Sequence, residues 1–284
     1  MLTSLNKPTK MRHLPPPNDP AHDDALQARI CSKPIWTKHR TKWQKAYENY
    51  RQHNGNPWLV DPTNFPKTVQ ARLKKLYDTR RSSDALQKIR DEPYGSCPVC
   101  GSGGTGDLDH YLPRETFAEF SILSLNLVPA CKYCNSDGKG RTYRGSGSER
   151  FIHPYFDTWA SNEIWRVVFH EPFAAATFSP APLHGLLNEV VEVTRFHLQN
   201  VLGKQFKRSM EVLWANYPKT LSMREGGLNE NVDFEAHVKL DHDVEAVTNG
   251  LNSWRAAFLR GLLADKNAMD WVTTQAIQHS QLGE

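Results

Sequence analysis

Cys97-Pro98-Val99-Cys100-Gly101 opens, and Cys131-Lys132-Tyr133-Cys134-Asn135 closes, the stretch that decides how this chain is read. Zinc takes four thiolates in a tetrahedron, and a C-x-x-C turn lets one tight loop supply two of them. The two pairs therefore predict a zinc site made of Cys97, Cys100, Cys131 and Cys134. With all four positions filled by protein, such an ion is structural, and it clamps the two ends of whatever lies between. Thirty residues lie between the pairs, more than a simple ribbon needs. Disulfides are the other use of paired cysteines, but a chain read as cytosolic keeps its thiols reduced. Cys31 stands apart and reads as a free thiol.

The enclosed segment carries polar side chains that a spacer does not require. It holds Asp107-Leu108-Asp109-His110-Tyr111-Leu112-Pro113-Arg114 and Leu125-Asn126-Leu127-Val128-Pro129-Ala130, and Asn135-Ser136-Asp137-Gly138-Lys139-Gly140 follows the second pair. C-x-x-C, Asp-His, Asn-Leu-x-x-x-C-x-x-C-Asn and Lys-Gly, in that order, resemble the HNH endonuclease family in its zinc-knuckle form. The resemblance covers residues 97–140 and leaves both flanks out. Asp109-His110-Tyr111-Leu112-Pro113 and the later His153-Pro154-Tyr155-Phe156-Asp157 also look like HNH effectors of bacterial anti-phage systems, such as the Septu-type nuclease.

The resemblance implies a ββα-metal fold with His110 on the hairpin and Asn135 near the start of the helix. It implies that His110 is the general base and that Asp109 and Asn135 hold a catalytic divalent ion, magnesium or manganese. It gives Asn126 the task of holding the hairpin loop and so orienting the histidine, and it sets Lys139 near the phosphate. The third motif position, His or Asn in the family, is Asn here. Asp137-Gly138 sets Lys139 one residue further on than the compact Asn-x-x-Lys-Gly form.

Residue chemistry supports these roles on its own terms. Phosphodiester hydrolysis needs a base that titrates near neutrality, for which histidine is suited. It also needs a hard cation to offset charge on the phosphate, and magnesium accepts one carboxylate and one amide carbonyl while keeping several waters. Neighbours on a strand point to opposite faces, so Asp109 and His110 serve one site only if the strand twists or ends there. Plainer readings stand beside these. Asn126 fits a turn, Asn135 fits a helix N-cap, and Lys139, Arg114, Arg141 and Arg144 are either phosphate contacts or solvated cations. His153 reads as structural, docking the tail of the module. Residues 101–106, GSGGTG, lack the Gly-Lys-Ser/Thr ending of a phosphate loop.

Outward from the module, Trp36, Trp43, Tyr47 and Tyr50 recur at helical spacing over residues 35–52, with Lys38, Arg40, Lys42 and Lys45 between them. Core packing is the preferred reading of these aromatics over base stacking. A second helix is expected from Pro66 to Asp78, with Val69, Leu73 and Leu76 inward, and a third from Asp84 to Arg90. Trp165, Val167 and Phe169 suggest a strand, and Glu189 to Thr194 another. A helix is expected from about Arg195, with Leu198, Leu202, Phe206 and Leu213 on one face. Gly226-Gly227 marks a loop. A last long helix is expected from Asp243, with Val247, Leu251, Trp254, Phe258 and Leu262 as a continuous stripe.

The 284 residues carry a net charge of +4, unevenly spread. Residues 33–90 hold 14 Lys or Arg against 4 Asp or Glu, a balance of +10, and residues 151–284 hold 11 against 16, a balance of −5. A basic block is the electrostatic footprint of a nucleic-acid partner, or else a set of solvated helix faces. No apolar run approaches the roughly 20 residues of a membrane span, and no secretion signal is read, so a cytoplasmic setting is expected.

The expectation is an α+β chain in four stretches: an extended or disordered arm (1–25), a basic helical region (26–92), an HNH nuclease core with zinc knuckles (93–157) and a mostly helical C-terminal region (158–284). Its expected activity is metal-dependent hydrolysis of DNA, with RNA also open, in an anti-phage setting. Two alternatives remain. One is a non-catalytic, zinc-stabilised nucleic-acid-binding module. The other is a nuclease subunit active only with a partner such as an ATPase, which the acidic C-terminal helices would meet.

Overall fold

A computed structural model of the chain describes residues 14, 16–17, 19–80, 84–224 and 233–281. The Gly226-Gly227 loop and most of the expected arm lie outside these residues. The rest of the arm differs from expectation. Leu14 is buried, and a helix, α1 (Pro20–Cys31), starts within the stretch, capped by the Asp19 carboxylate on the Ala21 amide at 2.9 Å.

The aromatic stretch that follows forms two helices, α2 (Pro34–Thr37) and α3 (Arg40–Gln52), with a break at Lys38-His39. Trp43, Tyr47 and Tyr50 are buried on one face of α3, as core packing requires, while Lys42 and Lys45 stay exposed. The helices α4 (Lys67–Asp78) and α5 (Asp84–Asp91) complete the N-terminal region. Val69, Leu73 and Tyr77 form the buried face of α4; Leu76 is only half-buried.

Two strands of four residues, β1 (Asp107–His110) and β2 (Leu127–Ala130), pair antiparallel with Asp107 opposite Ala130 and His110 opposite Leu127. Strands this short do not hold together alone. The cysteines join one end of the hairpin, and the N-terminal helices pack near the other. After β2 the chain makes a single π-helical turn, Cys134–Gly138.

The second hairpin, β3 (Trp165–His170) with β4 (Thr177–Pro182), precedes five helices: α6 (Asn188–Val201), α7 (Lys204–Arg224), α8 (Phe234–Thr248), α9 (Trp254–Leu263) and α10 (Lys266–Gln281). Trp165, Val167 and Phe169 alternate inward on β3. Three expectations fail here. Glu189–Thr194 is helix rather than strand, because Val193, Phe196 and Val201 share a helical face against the core. The helix expected from Arg195 is divided at Leu202-Gly203, where a side chain at Gly203 would collide with the Tyr133 hydroxyl. The last stripe is also broken: Val247 is 65% exposed on α8, and Ser253 caps a new helix through the Ala256 amide at 3.1 Å. Gly261 permits the close packing of α9 on β3, since a Cβ there would strike the Val167 carbonyl.

The buried apolar side chains form one cluster from Leu14 to Ala276. The chain is thus a mixed helix-and-sheet protein, with two small two-stranded sheets and a four-cysteine cluster. Among the described residues no helix is long and apolar enough to cross a membrane.

Candidate functional site

Cys97 and Cys100 sit on a turn closed by Gly101 N–H donating to the Cys97 carbonyl at 2.8 Å, with Gly101 at φ +83°. Cys131 and Cys134 flank the start of the helical turn after β2. One ligand atom from each of the four lies within 4.8 Å of all the others, and no other group of three or more His, Cys, Asp or Glu residues is so arranged among the described residues. The Cys100 and Cys131 sulfurs are 3.8 Å apart, which matches the edge of about 3.8 Å that four thiolates make around zinc at Zn–S of about 2.3 Å.

Backbone amides of Cys131, Cys134 and Ser102 point at the sulfurs of Cys97, Cys131 and Cys100, at 3.3, 3.5 and 3.5 Å. Such bonds favour thiolates. Burial and then the crowding of its neighbours push the Cys97 thiol up, and crowding beginning with Cys100 does the same to Cys134. A dication offsets that penalty, so the four cysteines could hold a metal such as zinc. The C-terminal region braces this cluster: Trp254 Nε1 donates to the Cys100 carbonyl at 2.6 Å, and its backbone amide to Gly101 at 3.0 Å.

A cleft of about 290 Å³ with mostly polar walls opens beside the hairpin. Asp109, His110 and Asn135 all line it, together with Arg114. The difficulty that neighbouring strand residues face apart is met because β1 ends at His110. The structure also brings Tyr77 of α4 and Arg90 of α5 to the cleft, which sequence reasoning missed. The spacing of Val69, Leu73 and Tyr77 marked an inward face but could not say what that face meets.

The His110 ring is buried, with Tyr77 packed edge-on at 4.6 Å between centroids. Its Nε2 is 3.0 Å from the Ser121 carbonyl. A carbonyl only accepts, so Nε2 carries the proton and Nδ1 keeps its lone pair. Burial drives the histidine down to about 3, so it is neutral at ordinary pH. Burial raises the Asp109 carboxyl, and the adjacent Lys139 ammonium opposes that shift.

Asn126 is fully buried between the strands. Its Oδ1 accepts from the Leu112 amide at 2.8 Å, and its Nδ2 donates to the Leu112 and Phe120 carbonyls at 3.1 and 3.3 Å. One amide thus pins both sides of the loop that carries Ser121.

The expected phosphate contacts fare differently. Lys139 is turned inward, 5% exposed, and pairs with Asp109 Oδ2 at 2.9 Å and with the His110 carbonyl. Its ammonium is therefore neither solvated nor left free for a phosphate, the two roles read for it from the sequence. Arg114 stays on the cleft but pairs with Asp78 at 2.8 Å and lies over Tyr77. Arg144 stacks on Trp58 at 4.5 Å and donates to the Pro57 carbonyl at 2.7 Å, and Arg141 is exposed. His153 is buried in the core away from the cleft.

Comparison with known proteins adds one partial likeness. Over 114 residues the chain is 36% identical to protein ea31 of Escherichia phage lambda, which covers 38% of each chain. The chain thus matches well under half of that protein's length. No family model matches the chain, and no solved structure matches it.

Proposed function

We propose that the protein is an HNH-type endonuclease that hydrolyses phosphodiester bonds of DNA. In this reading the β1–β2 hairpin and the helical turn after it form a reduced ββα-metal core held by a zinc ion on the four cysteines. The observation that carries the reading is one polar cleft shared by a neutral histidine with a free Nδ1 lone pair, a carboxylate and an amide. His110 is suited to take a proton from water. Asp109 and Asn135 offer the hard oxygen donors that magnesium or manganese prefers, and such an ion would offset charge on the phosphate. Exposed Lys38, Arg40, Lys42 and Lys45 support contact with a nucleic-acid backbone, which would weaken steeply as salt rises.

The test is cleavage of supercoiled plasmid with magnesium or manganese by the wild type and His110→Ala, each first shown to hold one zinc per chain. The wild type is expected to cut, and the variant to be at least about 100-fold slower. Equal cutting by both would remove His110 from the base role. If neither cuts while zinc is bound, the partner-gated nuclease and the non-catalytic binding module move ahead of the simple enzyme.

A partner-gated nuclease is a second reading, and it includes the anti-phage setting. Leu240, Val244 and Val247 of the acidic helix α8 support it, being exposed at helical spacing as a partner-facing stripe would be.

A further inference from the structure

Tyr50 and His153 lie outside the cleft, yet both join the hydrogen bonds that hold its histidine. His153 Nδ1 accepts from the Tyr155 backbone amide at 3.2 Å. Its Nε2 is 3.0 Å from the Tyr50 hydroxyl. A neutral imidazole has one N–H, so Nε2 donates and the Tyr50 oxygen accepts. The Tyr50 proton must then go elsewhere, and two acceptors wait for it: Asn126 Oδ1 and the Leu125 carbonyl, each at 3.2 Å.

The direction of the bonds is therefore set from Tyr155 as far as the Tyr50 hydroxyl, whose one proton is shared between the Leu125 carbonyl and Asn126 Oδ1. Asn126 is an amide that could sit either way round. The Leu112 amide demands oxygen on its side, and the Tyr50 hydroxyl, on that same side, reinforces the choice. That leaves Nδ2 for the Leu112 and Phe120 carbonyls, and Phe120 is joined directly to Ser121, whose carbonyl holds His110 Nε2. All of these side chains are buried, Tyr50 and Asn126 completely, where an unmet polar group is costly and direction is enforced. Gly55, at φ +65°, lets the chain pass close to this pair: a Cβ there would come within 2.7 Å of the Tyr50 ring and 3.1 Å of His153.

We propose that Tyr50 and His153 are positioning residues: through Asn126 they fix the loop whose Ser121 carbonyl holds His110 in the Nε2–H form. The proposal deepens the nuclease reading and rests on it for its kinetic consequence, but not for its structural one.

The experiment is Tyr50→Phe in the full-length, zinc-loaded chain, which keeps the ring and removes only the hydroxyl. Two measurements are made. Nitrogen chemical shifts of the His110 imidazole report its tautomer: Nε2–H is expected in the wild type and a mixture of both tautomers in the variant. Plasmid cleavage is expected to show kcat lower by about tenfold with KM little changed, and His153→Gln combined with Tyr50→Phe should cost no more than the larger single change. An unchanged His110 tautomer in Tyr50→Phe, or losses that add in the double variant, would overturn the relay. If the zinc-loaded wild type does not cleave, the reading of a nuclease active by itself falls, and the tautomer measurement alone still decides the relay either way.

Discussion

Lys139 shows how one side chain changes meaning with its surroundings. Its ammonium is 3% exposed and the Asp109 carboxylate beside it 14%, so water does little to screen either charge. The Tyr111 and Phe151 rings, at 5.7 and 5.6 Å, complete its wall. Removing one partner of such a pair leaves a buried charge alone. Lys139→Met is therefore expected to cost about 3 kcal/mol in urea unfolding, and adding Asp109→Asn should restore most of it. A solvated lysine would cost under about 0.5 kcal/mol, and that result would return Lys139 to the solvated or phosphate-side roles read from the sequence. The same scale explains why Asn126 could be singled out from its neighbours in sequence but not its partners: Tyr50 is 76 residues away.

The elements around the site are too short to stand by themselves. Four-residue strands and one helical turn have no stability of their own, and three attachments hold them. A metal on the four cysteines would tie the ends. Trp43 Nε1 donates to the Glu119 carbonyl at 2.9 Å and Asp23 accepts from the Ser124 hydroxyl at 2.6 Å, so α3 and α1 grip the loop between the strands. On the far side Trp254 of α9 holds the first knuckle. With zinc on the four cysteines, as proposed, stripping it with a strong chelator is expected to lower the melting temperature by more than about 10 °C, a loss of several kcal/mol for a chain of this size. It should also change tryptophan fluorescence through Trp254. Retention of both would mean that the helices alone hold the module.

Across the whole molecule, burial of neutral histidines sets a response to acid. His110 is held at about 3 and His153 well below the ordinary value, both chiefly by burial. The unfolded chain binds those protons at about pH 6.5 and the folded chain does not, so stability is complete above that pH and falls as pH drops below it. Each histidine contributes a loss of about 1 kcal/mol between about pH 6.5 and 5.5, steepening to about 1.4 kcal/mol per pH unit below that. Unfolding in urea at pH 6.5 and 5.5 measures this, and His153→Gln should reduce the slope by one histidine's share; an equal slope in the variant would mean that His153 takes up its proton when folded. The sequence by itself determined the four-cysteine cluster, the helices α3, α4 and α5, and the inward alternation of β3, because spacing in a turn, a helix or a strand is local geometry. It also singled out Asp109, His110, Asn126 and Asn135 by their order along the chain. Only the tertiary structure decided that Asp109, His110 and Asn135 share one cleft, that Lys139 faces inward, that 189–194 is helical, and that Tyr50 and His153 reach Asn126. Those outcomes depend on contacts between residues far apart in the chain, where burial and collision, as at Gly203 against Tyr133, outweigh local preference.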